Sequence, residues 1–116
     1  MLIEGQLTVM TSLPDAIIAD NDDMAMGALE AIRLTGRDPA AIKVVGFDAL
    51  PFALDKVRDG TLAATVDQKP GAQIRTALQM VVNHLRNRTP LHSTTIDAVL
   101  ITQENVEVAE NAPQTN

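Results

Sequence analysis

Ala16-Ile-Ile-Ala-Asp-Asn-Asp-Asp-Met-Ala-Met-Gly-Ala-Leu-Glu-Ala-Ile32 is the stretch that decides the fold. It reads as a short buried strand, a polar turn and an amphipathic helix. Ile17 and Ile18 lie in an apolar run too short for a helix and bounded by polar residues, the pattern of a strand covered on both faces. Asn21, Asp22 and Asp23 are N-cap residue types, and the two acids suit the positive end of a helix. Met24, Ala28 and Ile32 recur every four residues, as do Ala25 and Leu29, so one helical face is apolar. Gly36 follows as the C′ residue that stops the helix.

The chain repeats this move. Arg37-Asp-Pro-Ala-Ala is a loop, and residues 42–47 form a second apolar strand ending in Asp48. Pro51 opens a helix at its first position, with Ala53, Leu54 and Val57 as its apolar face, and Gly60 closes it. Residues 62–66, Leu-Ala-Ala-Thr-Val, are a third strand ending in Asp67 and Gln68. Pro70 opens the longest helix. Ile74, Leu78, Val81, Val82 and Leu85 line one side of it, and cations in its last turn complement the dipole. Residues 94–108 are strand-like with imperfect alternation. Residues 1–13 fit neither period and are expected to be a poorly defined arm, the tail of a helix or a frayed end. The domain proper is expected at 14–110, and 111–116 as a loose polar tail.

The order β-α-β-α-β-α-β predicts an α/β three-layer sandwich, a parallel sheet with right-handed crossovers and flanking helices. Such sheets bind ligands outside the carboxyl ends of their strands. That edge is expected to carry Asn21, Asp48 and Gln68, each one or two residues past its strand. Two amides and a carboxylate supply donors and acceptors for a neutral polyhydroxyl ligand. A phosphate would call for glycine-rich backbone or cations, and neither GxGxxG nor GxxxxGK[ST] is present. No cofactor is implied. Capping alone would account for Asn21, and turn shaping for Asp48. Their equivalent places on adjacent strands favour a shared site.

Composition narrows the partners. The chain has 116 residues, 46% of them apolar, enough for one packed domain. Its net charge of −6, without a basic cluster, argues against a nucleic-acid surface. There is no cysteine, and no apolar run approaches the ~20 residues of a membrane span. Asp20-Asn-Asp-Asp lacks the glycine and distal glutamate of a calcium loop, so Asp22 and Asp23 are assigned to capping and no metal site is expected. His84 and His92 read as surface residues without a catalytic partner, and no enzyme is expected. The five methionines read as core filler. Only two aromatics, Phe47 and Phe52, are available to stack on a ring.

Four motifs occur in order: Ala19-Asp-Asn-Asp-Asp-Met-Ala-Met-Gly-Ala, Val44-Val-Gly-Phe-Asp48, Asp59-Gly-Thr-Leu-Ala-Ala-Thr-Val-Asp-Gln68 and Ile101-Thr-Gln-Glu-Asn-Val106. Over residues 14–108 the chain resembles the C-terminal lobe of the periplasmic sugar-binding proteins of the ribose-binding type, solute-binding components of ABC transporters. The resemblance implies a partial type I periplasmic-binding-protein lobe. It also implies that Asn21, Asp48 and Gln68 hydrogen-bond a monosaccharide or polyol, and that an ABC permease is the partner of the full-length protein. Family members have two lobes with sugar between them. The N-terminal lobe, the first βα part of this lobe and the stacking aromatic rings have no counterpart here, so the chain is expected to be a fragment that binds weakly or not at all alone. Exposed sheet edge, above all residues 96–102, is expected to drive self-association. The resemblance implies the periplasm. Met-Leu-Ile-Glu does not begin a signal peptide, so a chain made as it stands is expected in the cytoplasm.

Two other readings compete. One is the effector domain of a lactose-repressor-type regulator, which shares Val-Gly-Phe-Asp. The other, from another class, is a receiver-like signalling domain, which would pair an acidic cluster with an Asp after a strand. Asp22 and Asp23 stand 25–26 residues before Asp48, and no Lys follows the last strand.

Overall fold

The computed structural model describes residues 2–10 and 12–112. In chain order the elements are α1 (Leu2–Val9), β1 (Ala16–Ile18), α2 (Asp22–Leu34), β2 (Lys43–Val45), α3 (Pro51–Arg58), β3 (Thr65–Asp67), α4 (Pro70–Asn87) and β4 (Val99–Ile101). Short 3-10 turns lie at Pro39–Ala41 and Val106–Val108.

The first three strands run parallel. Ile17 lies opposite Val44 in the β1–β2 pair. The ladder continues where the Ala63 N–H donates to Val44 O and the Gly46 N–H to Ala64 O, both at 2.9 Å. Helices α2 and α3 flank this sheet, the arrangement that the alternating pattern predicts.

The fourth strand departs from that expectation. β4 pairs antiparallel with β3, with Val99 opposite Asp67 and Ile101 opposite Thr65. A parallel return needs a helix that carries the chain back across the sheet to the starting end. Here the chain leaves β3 at Asp67 and comes back beside the same residue, so α4 does not cross the sheet. None of the residues of α4 is buried. Ile74, Leu78, Val81, Val82 and Leu85 are between 37% and 73% exposed, so the helix that the pattern places in the flanking layer leaves its apolar face uncovered. The radius of gyration is 18.5 Å, against about 13 Å for a compact chain of this length.

The core lies between α2, α3 and the sheet. Ala25, Ala28, Leu29, Ala31 and Ile32 of α2 join Ile42, Val44, Ala53, Leu54, Val57, Leu62 and Ile101. The alanines let α2 approach the strands closely. Met24 and Met10 are exposed rather than core. At the other end, residues 2–9 form a helix whose Leu7 is buried, and α1 packs on α2. Of the expected arm, residues 1 and 11 lie outside the described residues.

Only residues 99–101 of the stretch 94–108 are a strand. Asn105 ends it: its Oδ1 accepts the Thr102 N–H at 2.8 Å and its Nδ2 donates to Leu100 O at 2.9 Å. An Asn side chain that satisfies two backbone groups offers them an alternative to the ladder. Of the expected loose tail, Asn111 donates to Ala49 O at 3.2 Å and Ala112 is buried. Residues 113–116 lie outside the described residues.

Candidate functional site

Three backbone bonds step across the carboxyl ends of the parallel strands. The Ala19 N–H donates to Val45 O, the Asp22 N–H to Phe47 O and the Asp48 N–H to Val66 O, each at 2.9 Å. They bring Asn21, Asp48 and Gln68 onto one edge, just past β1, β2 and β3 respectively.

Asn21 caps α2, its Oδ1 accepting the Met24 N–H at 2.8 Å. Its NH2 group makes no hydrogen bond among the described residues. Capping therefore uses one end of this side chain and leaves the other as a donor. Asp48 and Gln68 meet directly, the Gln68 Nε2 donating to Asp48 Oδ1 at 2.7 Å. That bond leaves Asp48 Oδ2 and Gln68 Oε1 as acceptors. One donor and two acceptors on partly exposed side chains form a set that sugar hydroxyls can satisfy from both directions.

Asp48 sits in a special backbone. Its φ is 111°, and Ala49 follows at 52°. A non-glycine residue in this region persists only where the surroundings hold it. The holding groups lie in α2 and β3. Asp22 is fully buried, its Oδ1 accepting the Thr65 hydroxyl at 2.7 Å and its Oδ2 the Leu50 N–H at 2.8 Å. Thr65 Oγ1 in turn accepts the Ala49 N–H at 3.2 Å.

Asp22 is thus not the cap that its residue type suggests. Asp23 stays exposed. The residues Asn21, Asp22 and Asp23 are equivalent as cap formers, and only the direction of the helix axis decides which one points inward. Gly46 was the available signal. A Cβ there would overlap Asp22 Oδ1, so the strand carries no side chain where the buried carboxylate lies.

Burial pushes the Asp22 carboxyl above its ordinary value of 3.8, and the charge of Asp48 adds to the rise. Bonds from Thr65 and Leu50 oppose it. A carboxyl whose pKa is raised by folding binds its proton more tightly in the native state. Its contribution is therefore fully present below 3.8 and is lost as pH rises from there through the raised value. The difference in urea midpoint between the wild type and Asp22→Asn, followed across that window, is expected to shrink as pH rises. A pH-independent difference would contradict the assignment.

His84 Nδ1 lies 2.9 Å from Thr89 O, and both histidines are exposed. Among the described residues no group of three or more His, Asp or Glu could hold a metal ion. No helix among them is long and apolar enough to cross a membrane.

A parallel α/β unit with polar side chains at its strand ends is the architecture of a lobe of a solute-binding protein. The periplasmic binding protein domain family matches residues 4–89, and the chain belongs to that family. It is 50% identical over 70 residues to the ribose import binding protein RbsB of Bacillus subtilis, which covers 55% of this chain and 22% of the relative. It is 38% identical over 77 residues to the D-ribose/D-allose-binding protein of Pseudomonas aeruginosa, covering 66% of this chain and 24% of that protein. The solved Caulobacter myo-inositol binding protein, bound to myo-inositol, superimposes with a TM-score of 0.90 at 45% identity, over 98% of this chain and 39% of the other. A Bacillus halodurans solute binding protein with bound myo-inositol gives 0.79 at 35% identity, over 91% and 36%. The chain thus spans about a fifth of the length of the curated relatives. These relatives are substrate-binding proteins and not enzymes. Membership of this family removes the support for a receiver-like domain.

Proposed function

We propose that this chain forms one wall of a binding site for a monosaccharide or cyclic polyol, with Asn21, Asp48 and Gln68 as its hydrogen-bonding side chains. The observation that carries the reading is the direct Asp48–Gln68 bond on the same strand edge as the free Asn21 amide group. The names of the relatives, which bind ribose, allose or myo-inositol, support the ligand class. In the longer protein this wall belongs to the solute-binding component of an ABC importer, which acts in the periplasm and delivers its ligand to a permease.

Alone, the wall binds weakly. Each neutral hydrogen bond nets about 0.5–1.5 kcal/mol against water. Two such bonds, at Asn21 and Gln68, and one to the Asp48 carboxylate, worth about 1.5–3 kcal/mol, give roughly 2.5–6 kcal/mol before a cost of association of about 4 kcal/mol or more. About −4 kcal/mol corresponds to a millimolar constant, which is the upper limit here. Titration of the chain with D-ribose, D-allose and myo-inositol, followed by amide chemical shifts, is expected to move the signals of residues 21, 48 and 68 at millimolar ligand. Micromolar binding would show that the chain holds far more of the site, and the absence of any shift would remove the reading.

The uncovered stripe of α4 and the outer edge of β4, where Leu100 is exposed, support self-association of the chain. Light scattering across a concentration series is expected to show a mass above that of the 12.4 kDa monomer. A monomer at every concentration would refute it.

A further inference from the structure

We propose that Asp22 is the positioning residue of this site: from inside the core it sets the backbone that presents Asp48 to a ligand. For its ligand readout the inference rests on the sugar-site reading. Asp22 itself is fully buried and both its oxygens are engaged, so it acts on a ligand only through the 47–50 loop.

The backbone of that loop is held at each of its four residues. Phe47 O accepts the Asp22 N–H, and the Asp48 N–H donates to Val66 O, both at 2.9 Å. The Ala49 N–H is held by the Thr65 hydroxyl at 3.2 Å, and the Leu50 N–H by the Asp22 carboxylate at 2.8 Å. The Thr65 hydroxyl has one proton, which it gives to Asp22 at 2.7 Å, so its lone pair faces Ala49. The carboxylate therefore orients the hydroxyl as well as binding Leu50. Two consecutive left-handed residues, Asp48 and Ala49, lie between these holds. Such backbone is unfavourable by itself and relaxes when its partners are removed. If it relaxes, Asp48 leaves Gln68 and the donor–acceptor set on the edge comes apart.

A residue that merely stabilised the core would change the melting temperature without changing the site of the folded molecules. The test therefore reads the site directly. Asp22→Asn, Thr65→Val and Thr65→Ser are made in the full chain. Hydrogen exchange of the Ala49 and Leu50 amides is measured, as is affinity for myo-inositol and D-ribose by chemical shift. Asp22→Asn and Thr65→Val are expected to fold, to speed exchange of both amides by at least about tenfold, and to weaken the sugar by about tenfold or more. Thr65→Ser, which restores the hydroxyl, is expected to return both readouts to within about twofold of wild type. Folded Asp22→Asn or Thr65→Val with wild-type amide protection, or with loosened amides and wild-type affinity, overturns the proposal. If Asp22→Asn does not fold, Thr65→Val decides by the same readouts, because it leaves the carboxylate in place. A wild-type chain that binds neither sugar defeats the sugar-site reading instead. The amide exchange then decides the positioning without a ligand.

Discussion

Gly46→Ala is expected to be among the most damaging single substitutions in this chain, and Gly27→Ala to be harmless or stabilising. Both replace glycine with the smallest side chain, and the difference lies in what the new carbon meets. At Gly46 it would overlap Asp22 Oδ1 and sit 3.3 Å from Ala25 Cβ and from Asp22 Cα. The carboxylate cannot swing aside, because Thr65 and Leu50 hold its two oxygens. Overpacking of a fitted core costs about 1–3 kcal/mol. Loss of a hydrogen bond to a charged group costs about 1.5–3 kcal/mol more. The sum, roughly 2.5–6 kcal/mol, is a large part of the 5–15 kcal/mol that holds a domain of this kind together. At Gly27, inside α2, nothing lies within 4 Å of the added carbon. There the substitution removes only the conformational freedom of the unfolded chain and is expected to add about 0.5–1 kcal/mol. Urea unfolding of the two variants beside the wild type checks this. A Gly46→Ala midpoint within error of wild type would mean that the Asp22 network is soft.

The same contrast shows where the sequence could be read. α2 was legible because Ala25, Leu29 and Ile32 recur at helical spacing and Asn21 and Gly36 mark its ends. The common edge of Asn21, Asp48 and Gln68 was legible because alternating elements place strand ends together whatever the packing details. α4 misled for a physical reason. Ile74, Leu78, Val81, Val82 and Leu85 report that one face is apolar, but periodicity carries no information about which surface covers it. The sense of β4 was equally hidden, since an apolar run reads the same in either direction. Asp22 was misjudged because capping preferences rank residue types and not the direction in which each side chain leaves the first turn.

Asp48→Ala is expected to abolish detectable sugar binding, while Gln68→Ala and Asn21→Ala weaken it less. Asp48 is the one carboxylate of the three, and hydrogen bonds to a charged group are worth about 1.5–3 kcal/mol, against 0.5–1.5 for neutral ones. A loss of that size is roughly 10- to 150-fold, which carries a millimolar constant beyond the range of a titration. Two further effects act in the same direction. Gln68 Nε2, now held by Asp48 Oδ1 at 2.7 Å, loses the partner that orients it. The φ of 111° is also less tolerable for alanine than for aspartate, so the loop itself loses support. Asp48→Asn separates these contributions. It keeps the shape, one acceptor and the tolerance of left-handed backbone, and removes the charge and the second acceptor oxygen, so it is expected to fall between wild type and Asp48→Ala. Chemical-shift titration with myo-inositol and D-ribose reads all four variants on one scale. Wild-type affinity in Asp48→Ala would remove this carboxylate from the site. Equal losses in Asp48→Asn and Asp48→Ala would assign its role to the charge and the second acceptor of the carboxylate, and not to the shape of the side chain or its backbone.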